Sequence, residues 1–209
     1  MTNILLTRHG HVEGINPQRF RGRYNVPLSE QGVVEAHAVA TRIAAEWKPI
    51  AVYTSPMQRC IDTGEAIADA CHIGSSVLDT LTDIDYGTWQ WKTHAEIEEE
   101  FPHLFATWFA APELVRFPEG DSLQDLVART AEAIRTIHSR HPRETVVLVG
   151  HDSVNRAILM QMLDQPLSAY WRLEQSPCCL NQIDFSDNHI RVERINDTSH
   201  HSRLWLIDT

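Results

Sequence analysis

Arg8, His9 and Gly10 directly follow a short apolar run at residues 4–6. An arginine in that position is costly to bury without an anionic partner. Its charge also holds the adjacent histidine neutral, the form in which an imidazole can be a nucleophile. Arg59 falls in the first turn of a helix that Ser55 is placed to cap and Pro56 to open. The helix dipole disfavours a cation there by ~0.3–1 kcal/mol, and a bound dianion would remove the penalty. His151 follows Gly150 and precedes Asp152 and Ser153, either of which can cap the next helix. A helix start lowers a histidine's proton affinity and suits it to hydrogen-bond an anion. Each position also has an ordinary reading: a loop histidine, a solvated arginine, a helix-cap histidine. Together they point to an anion site more strongly than any one alone.

These residues must be carried by elements that end near one another. Residues 3–8 read as a buried strand, and residues 50–54 and 145–149 as two more; residues 76–78 form a weaker candidate. Ser29 is placed to cap a helix with the apolar face Val33, Ala36, Ala40, Ile43 and Trp47. Further helices are expected from Ser55 to about Ala70, through Leu123, Leu126, Val127, Ala131, Ile134 and Ile137, and from about Ser153 to Leu163. Residues 89–118 are rich in aromatics and read as two short helical stretches. Two closing strands fit residues 180–185 and 190–195, with a turn at Ser186, Asp187 and Asn188. This alternation predicts an α/β fold with a mainly parallel sheet. In such sheets the site lies at the carboxyl ends of the strands, where Arg8–Gly10, Ser55 and Gly150–His151 would meet.

The 209 residues fit one domain spanning 1–209, and no repeat or long linker divides them. Net charge is −10, which argues against nucleic acid or an anionic membrane as partner. It does not exclude a phosphate ligand, because charges are screened within ~8 Å at physiological salt and a local arginine cluster governs its own pocket. Four cysteines without a C-x-x-C pair read as reduced thiols in a cytoplasmic protein. No run approaches the ~20 apolar residues of a membrane span.

Five ordered segments carry a family resemblance. They are Leu6-Thr-Arg-His-Gly10; Arg23-Tyr-Asn-Val-Pro-Leu-Ser-Glu-Gln-Gly32; Ser55-Pro-Met-Gln-Arg59 with Thr63; Leu81-Thr-Asp83-Ile-Asp-Tyr-Gly87-Thr-Trp89; and Pro118-Glu-Gly-Asp-Ser122, followed by Gly150-His151. The chain thereby resembles the histidine phosphatase (phosphoglycerate mutase-like) superfamily, and its compact form is similar to the α-ribazole and broad-specificity phosphatases. The resemblance implies a three-layer α/β/α sandwich and a phosphomonoesterase that hydrolyses a small phosphorylated metabolite through a phosphohistidine on His9. Arg8, Arg59 and His151 would stabilise the transferring group, and Asp83 would be the general acid. Gly10 would let the loop backbone approach the phosphate. Asn16, Arg19 and Gly22 join it as substrate-binding candidates. No metal and no cofactor are implied.

Some positions depart from the family pattern. Asp83 stands where a glutamate is usual, which leaves Asp85, Glu13 and Glu119 as alternative acids. Asn25 replaces a usual acid, and Ile15 occupies the place of a common asparagine, one residue before Asn16. Arg21 and Arg23 read either as substrate contacts or as a solvated basic loop. Trp89, Trp91, Phe105, Trp108, Phe109 and Phe117 read as a lid or, more simply, as core. Two readings from other classes are a metal hydrolase on His9-Gly-His11 and a non-catalytic phosphate-binding or scaffold protein. Arg8 beside His9 opposes the first by repelling a cation. A phosphoglycerate mutase is the alternative within the family; the acidic run from Glu96 to Glu100 stands where a mutase carries a basic insert. The expected partner is a small phosphorylated substrate, and a homodimer is compatible with the sequence but not specified by it.

Overall fold

The computed structural model describes residues 1–186 and 189–201. Six strands form one mixed sheet: β1 (Thr2–Arg8), β2 (Ala51–Thr54), β3 (Ser75–Val77), β4 (Thr145–Gly150), β5 (Leu180–Phe185) and β6 (Ile190–Asp197). Their order across the sheet is β3-β2-β4-β1-β5-β6. The pairs β2–β3, β2–β4 and β1–β4 are parallel, and β5 runs antiparallel to both its neighbours. The longer helices are α1 (Glu30–Glu46), α2 (Gln58–Cys71), α3 (His94–Glu100), α4 (Pro102–Ala110), α5 (Leu123–Arg140) and α6 (Asp152–Met162).

The two-residue period of β4 separates two cores. Val147 and Val149 pack with Ala36, Val39, Ala40 and Ile43 of α1 and Ile67 of α2. Val146 and Leu148 face the other way, toward Leu126, Ile134 and Ile137 of α5 and Ile158 of α6. Both faces of the central strands are therefore covered, which is why these strands read as continuous apolar runs. The result is the three-layer α/β/α sandwich that the family resemblance implies.

Several local expectations change. Val33 is exposed, and Val39 takes its place on the buried face of α1. Helix α2 begins at Gln58 with Met57 at its N-cap, and Ser55 does not cap it. Instead Asn25 Oδ1 accepts from the Gln58 backbone N–H at 3.3 Å. Neither Asp152 nor Ser153 caps α6, because His151 itself occupies the N-cap position. Trp89, Trp108 and Phe117 are core residues, whereas Phe109 is exposed. Of the expected final turn, Asp187 and Asn188 lie outside the described residues. The four cysteines are free, and among the described residues no helix is long and apolar enough to cross a membrane.

Candidate active site

In the β1–β4 pair Arg8 lies opposite Gly150, and the His9 backbone N–H donates to the Gly150 carbonyl at 3.1 Å. The two strands thus deliver His9 and His151 side by side at their carboxyl ends. The imidazole centroids are 5.3 Å apart at an interplanar angle of 65°. Both residues are buried, as are Arg8 and Arg59.

His9 Nδ1 lies 2.7 Å from the Gly10 carbonyl oxygen. A carbonyl only accepts, so Nδ1 carries the proton and Nε2 keeps its lone pair. Burial pushes the His9 pKa well below the usual histidine value, with Arg59, Arg8 and His151 adding to the shift. The ring is therefore neutral and basic at Nε2 at neutral pH.

His151 is held differently. Its Nδ1 lies 3.2 Å from Arg59 Nη2, and its Nε2 lies 2.7 Å from Ser55 Oγ. A guanidinium only donates, so Nδ1 is the acceptor and Nε2–H donates to Ser55. Burial, then Arg59 and Arg8, also depress its pKa well below the usual value. Cys60 packs behind the ring, and burial pushes its thiol up to about 12, which leaves it an inert neighbour.

The two arginines are anchored by carbonyls rather than by carboxylates alone. Arg8 Nη1 donates to Gln175 O at 2.6 Å. Arg59 donates to Tyr24 O at 2.9 Å and to Gly22 O at 2.7 Å, and its Nη2 lies 3.3 Å from Asp83 Oδ2. Among the described residues the Nε atoms of Arg8 and Arg59 have no hydrogen-bond partner. Buried donors without partners cost free energy, and an oxyanion beside them would recover it.

In front of this cluster opens a narrow cleft of about 50 Å³ with His9 and Asp83 in its walls. Gln18, Arg19, Arg21, Gly22, Tyr86 and His94 line the same cleft, as do Trp108, Trp171, Asp152 and Ser153. Arg8, Arg59 and His151 do not line this cleft themselves; Arg59 and His151 adjoin it through Asp83, at 3.3 and 3.4 Å. Arg21 is no solvated loop residue: burial, then the nearby Arg8, lowers its pKa to about 10. Burial and Arg21 lower that of His94.

The candidate acids separate clearly. Asp85 is taken up by Arg23 at 3.1 Å and by the Gly87 N–H, while Glu13 and Glu119 are exposed and line no part of the cleft. Among the described residues, Asp83 and Asp152, the latter expected from the sequence only as a helix cap, are the two carboxylates that do. Asp152 Oδ1 accepts from Arg156 Nε at 2.9 Å. Arg23 is tied to Asp85 and Asp121, so the basic loop splits into structural and cleft-facing arginines.

Three substrate-binding candidates need correction or refinement. Asn16 is exposed and does not line the cleft, because the loop turns it outward at residues 14–17. Gly10 has a steric requirement to be glycine: a Cβ there would lie 2.4 Å from the Gly32 carbonyl oxygen, and its N–H donates to Thr63 Oγ1. Gly22 adopts φ +45°, and its carbonyl is the anchor for Arg59 noted above. Arg19 lines the cleft while donating to Trp91 O at 2.7 Å. His11 is used structurally, with Nδ1 2.8 Å from Ser29 Oγ. Among the described residues no group of three or more histidines, cysteines or carboxylates is arranged to hold a metal ion.

The chain is similar over nearly its whole length to known phosphatases. Phosphoserine phosphatase 1 of Hydrogenobacter thermophilus is 28% identical over 206 residues, covering 99% of this chain and 97% of that protein. A metal-independent phosphoserine phosphatase of Arabidopsis thaliana is 31% identical over 212 residues, covering 99% and 86%. The structure of Bacillus stearothermophilus YhfR superposes with a TM-score of 0.90 at 30% identity, covering 96% of this chain and 99% of that one. The model of the histidine phosphatase superfamily (branch 1) matches residues 4–198, and the chain belongs to that family.

Proposed function

We propose that the protein hydrolyses small phosphate monoesters in two steps through His9, the whole chain of 1–209 acting as one catalytic domain. The observation that carries this reading is the Nδ1–H bond of His9 to the Gly10 carbonyl, which leaves Nε2 as a buried lone pair among cationic groups. Nε2 attacks phosphorus, the P–O bond to the leaving alcohol breaks, and Asp83 supplies the alcohol's proton. Water then attacks the phosphohistidine and releases inorganic phosphate. Arg8, Arg59 and His151 stabilise the charge on the non-bridging oxygens as it is redistributed, the principal task in any phosphoryl transfer.

The cleft bears on substrate class. Arg19 and Arg21 stand in it with the carboxylates Asp83 and Asp152, so both signs of charge are present. A leaving group carrying both an ammonium and a carboxylate, as in phosphoserine, suits such a wall, and two relatives bear that activity in their names. Helix α3, His94–Glu100, contains four glutamates or equivalents of acidic character in its run from Glu96 to Glu100 with only Ile97 apolar, and it supports hydrolysis over mutase chemistry.

Rapid quench with labelled phosphoserine, kept free of acid, should trap an acid-labile, alkali-stable phosphoenzyme that is absent in His9→Ala. Phosphate release without such an intermediate would overturn the mechanism. Interconversion of phosphoglycerates faster than phosphate release would overturn the hydrolase reading.

A further inference from the structure

Asp83 is one methylene shorter than the glutamate usual at its position, yet it is held firmly. Its Oδ1 accepts from the Ile84 backbone N–H at 2.9 Å and is in hydrogen-bond contact with Ser153 Oγ. Its Oδ2 faces Arg59 Nη2 at 3.3 Å and His151 Nδ1 at 3.4 Å. Of these neighbours, the guanidinium and the amide can only donate. His151 is the most distant, and its Nδ1 already faces Arg59. The Ser153 hydroxyl is left as the one group that can both take a proton from Asp83 and give one up.

Ser153 is itself buried, is the second residue of α6, and lines the same cleft as His9 and Asp83. The first two residues of α6, Asp152 and Ser153, line the cleft, so the positive end of this 11-residue helix lies beside it, where an alkoxide would develop.

We propose that Ser153 is a catalytic proton relay that carries the Asp83 proton to the leaving oxygen, a role that rests on the reading of Asp83 as general acid. As the P–O bond breaks, the leaving oxygen takes the Ser153 hydroxyl proton and Ser153 Oγ takes the Asp83 carboxyl proton. The alcohol departs neutral, Asp83 is left as carboxylate, and the phosphoryl group stays on His9 Nε2. In the second step the attacking water returns a proton through Ser153 to Asp83 as the phosphohistidine bond breaks. The two steps sum to monoester plus water giving alcohol plus phosphate. The relay also accounts for the short acid, since the hydroxyl spans the distance that a glutamate would cover.

The test compares phosphohistidine formation from glycerol phosphate, whose alkoxide needs a proton, and from 4-nitrophenyl phosphate, whose leaving group does not. Asp83→Asn should slow the alkyl ester by ~10²–10⁴-fold and the aryl ester far less. Ser153→Ala should slow the alkyl ester by ~10²-fold or more, with Ser153→Thr recovering most of the rate. The double variant should be no slower than Asp83→Asn alone, and the alkyl reaction in mixed light and heavy water should show two protons in flight. Should Ser153→Ala melt below the assay temperature, Ser153→Gly replaces it in the comparison with Ser153→Thr. An alkyl rate in the hydroxyl-free variant within about threefold of wild type, with Asp83→Asn strongly slowed, would overturn the relay and leave Asp83 as the acid. Equal slowing of both esters in Asp83→Asn would instead overturn Asp83 as the acid, and the relay with it.

Discussion

The loops that end β1 and β4 each deliver a buried histidine, but they hold it by different means. His9 is oriented by the main chain, through the carbonyl of the very next residue. His151 is oriented by side chains, Ser55 on one nitrogen and Arg59 on the other. The His9 tautomer is thus insensitive to any substitution that leaves the backbone in place. The tautomer of its partner can be altered one side chain at a time. What the two share is their surroundings: both are stripped of water and face the same arginines.

The largest test of the comparison is Arg59→Ala, which removes a charge from both histidines and the donor from one. Turnover should fall by ~10²–10³-fold, the range for losing one donor to a developing oxyanion. Near wild-type turnover in a folded Arg59→Ala protein would show that the phosphoryl group is held elsewhere. A smaller effect, confined to one side of the comparison, is expected of Ser55→Ala. Losing a single hydrogen bond worth about 1.4 kcal/mol corresponds to roughly tenfold in kcat. Nitrogen-15 spectra should show the His151 protonation pattern changing and that of His9 unchanged. Equal changes at both rings would mean that Ser55 acts on the whole site rather than on His151.

The smallest effect probes what the histidines have in common. Both have folded pKa values well below the ordinary 6.5. Below about pH 6.5 the unfolded chain takes up protons that the folded histidines refuse, so the stability of the fold rises with pH through this window. Each such histidine contributes up to about 1.4 kcal/mol per pH unit to that slope. His151→Asn should therefore flatten the slope in urea titrations between pH 5 and 7 by up to one proton. An unchanged slope would mean that His151 is not held neutral by its surroundings.

The sheet and its helices were legible because apolar period and caps are local signals. Residues 3–8, 145–149 and 123–137 each carry enough of them to be read alone. Arg8, His9, Arg59 and His151 could be named from motif order, and the register of β1 on β4 brings both histidines to one edge. Ser55 was seen in the sequence but assigned the wrong task, because a serine before a proline-initiated helix has the appearance of a cap. Asn25 performs part of that task from 33 residues away, and no window of sequence reveals so distant a partner. Asp152 and Ser153 were read for local capping for the same reason. Their place in the cleft depends on where α6 docks against the segment carrying Asp83. Gly10 carries a further constraint of the same distant kind, since the backbone of α1 leaves it no room for a side chain.

The order β3-β2-β4-β1 has a consequence for how the protein is made. Strands β1 and β2 are synthesised first, yet they are not neighbours; β4, more than ninety residues later by its numbering, fits between them. A nascent chain that has emerged only as far as α5 therefore holds an open slot flanked by two unpaired apolar strand edges. Such edges invite pairing with other chains. The strand that fills the slot is also the one that brings His151 to His9, so the emerging chain loses its stickiest surface and gains its histidine pair in a single docking event.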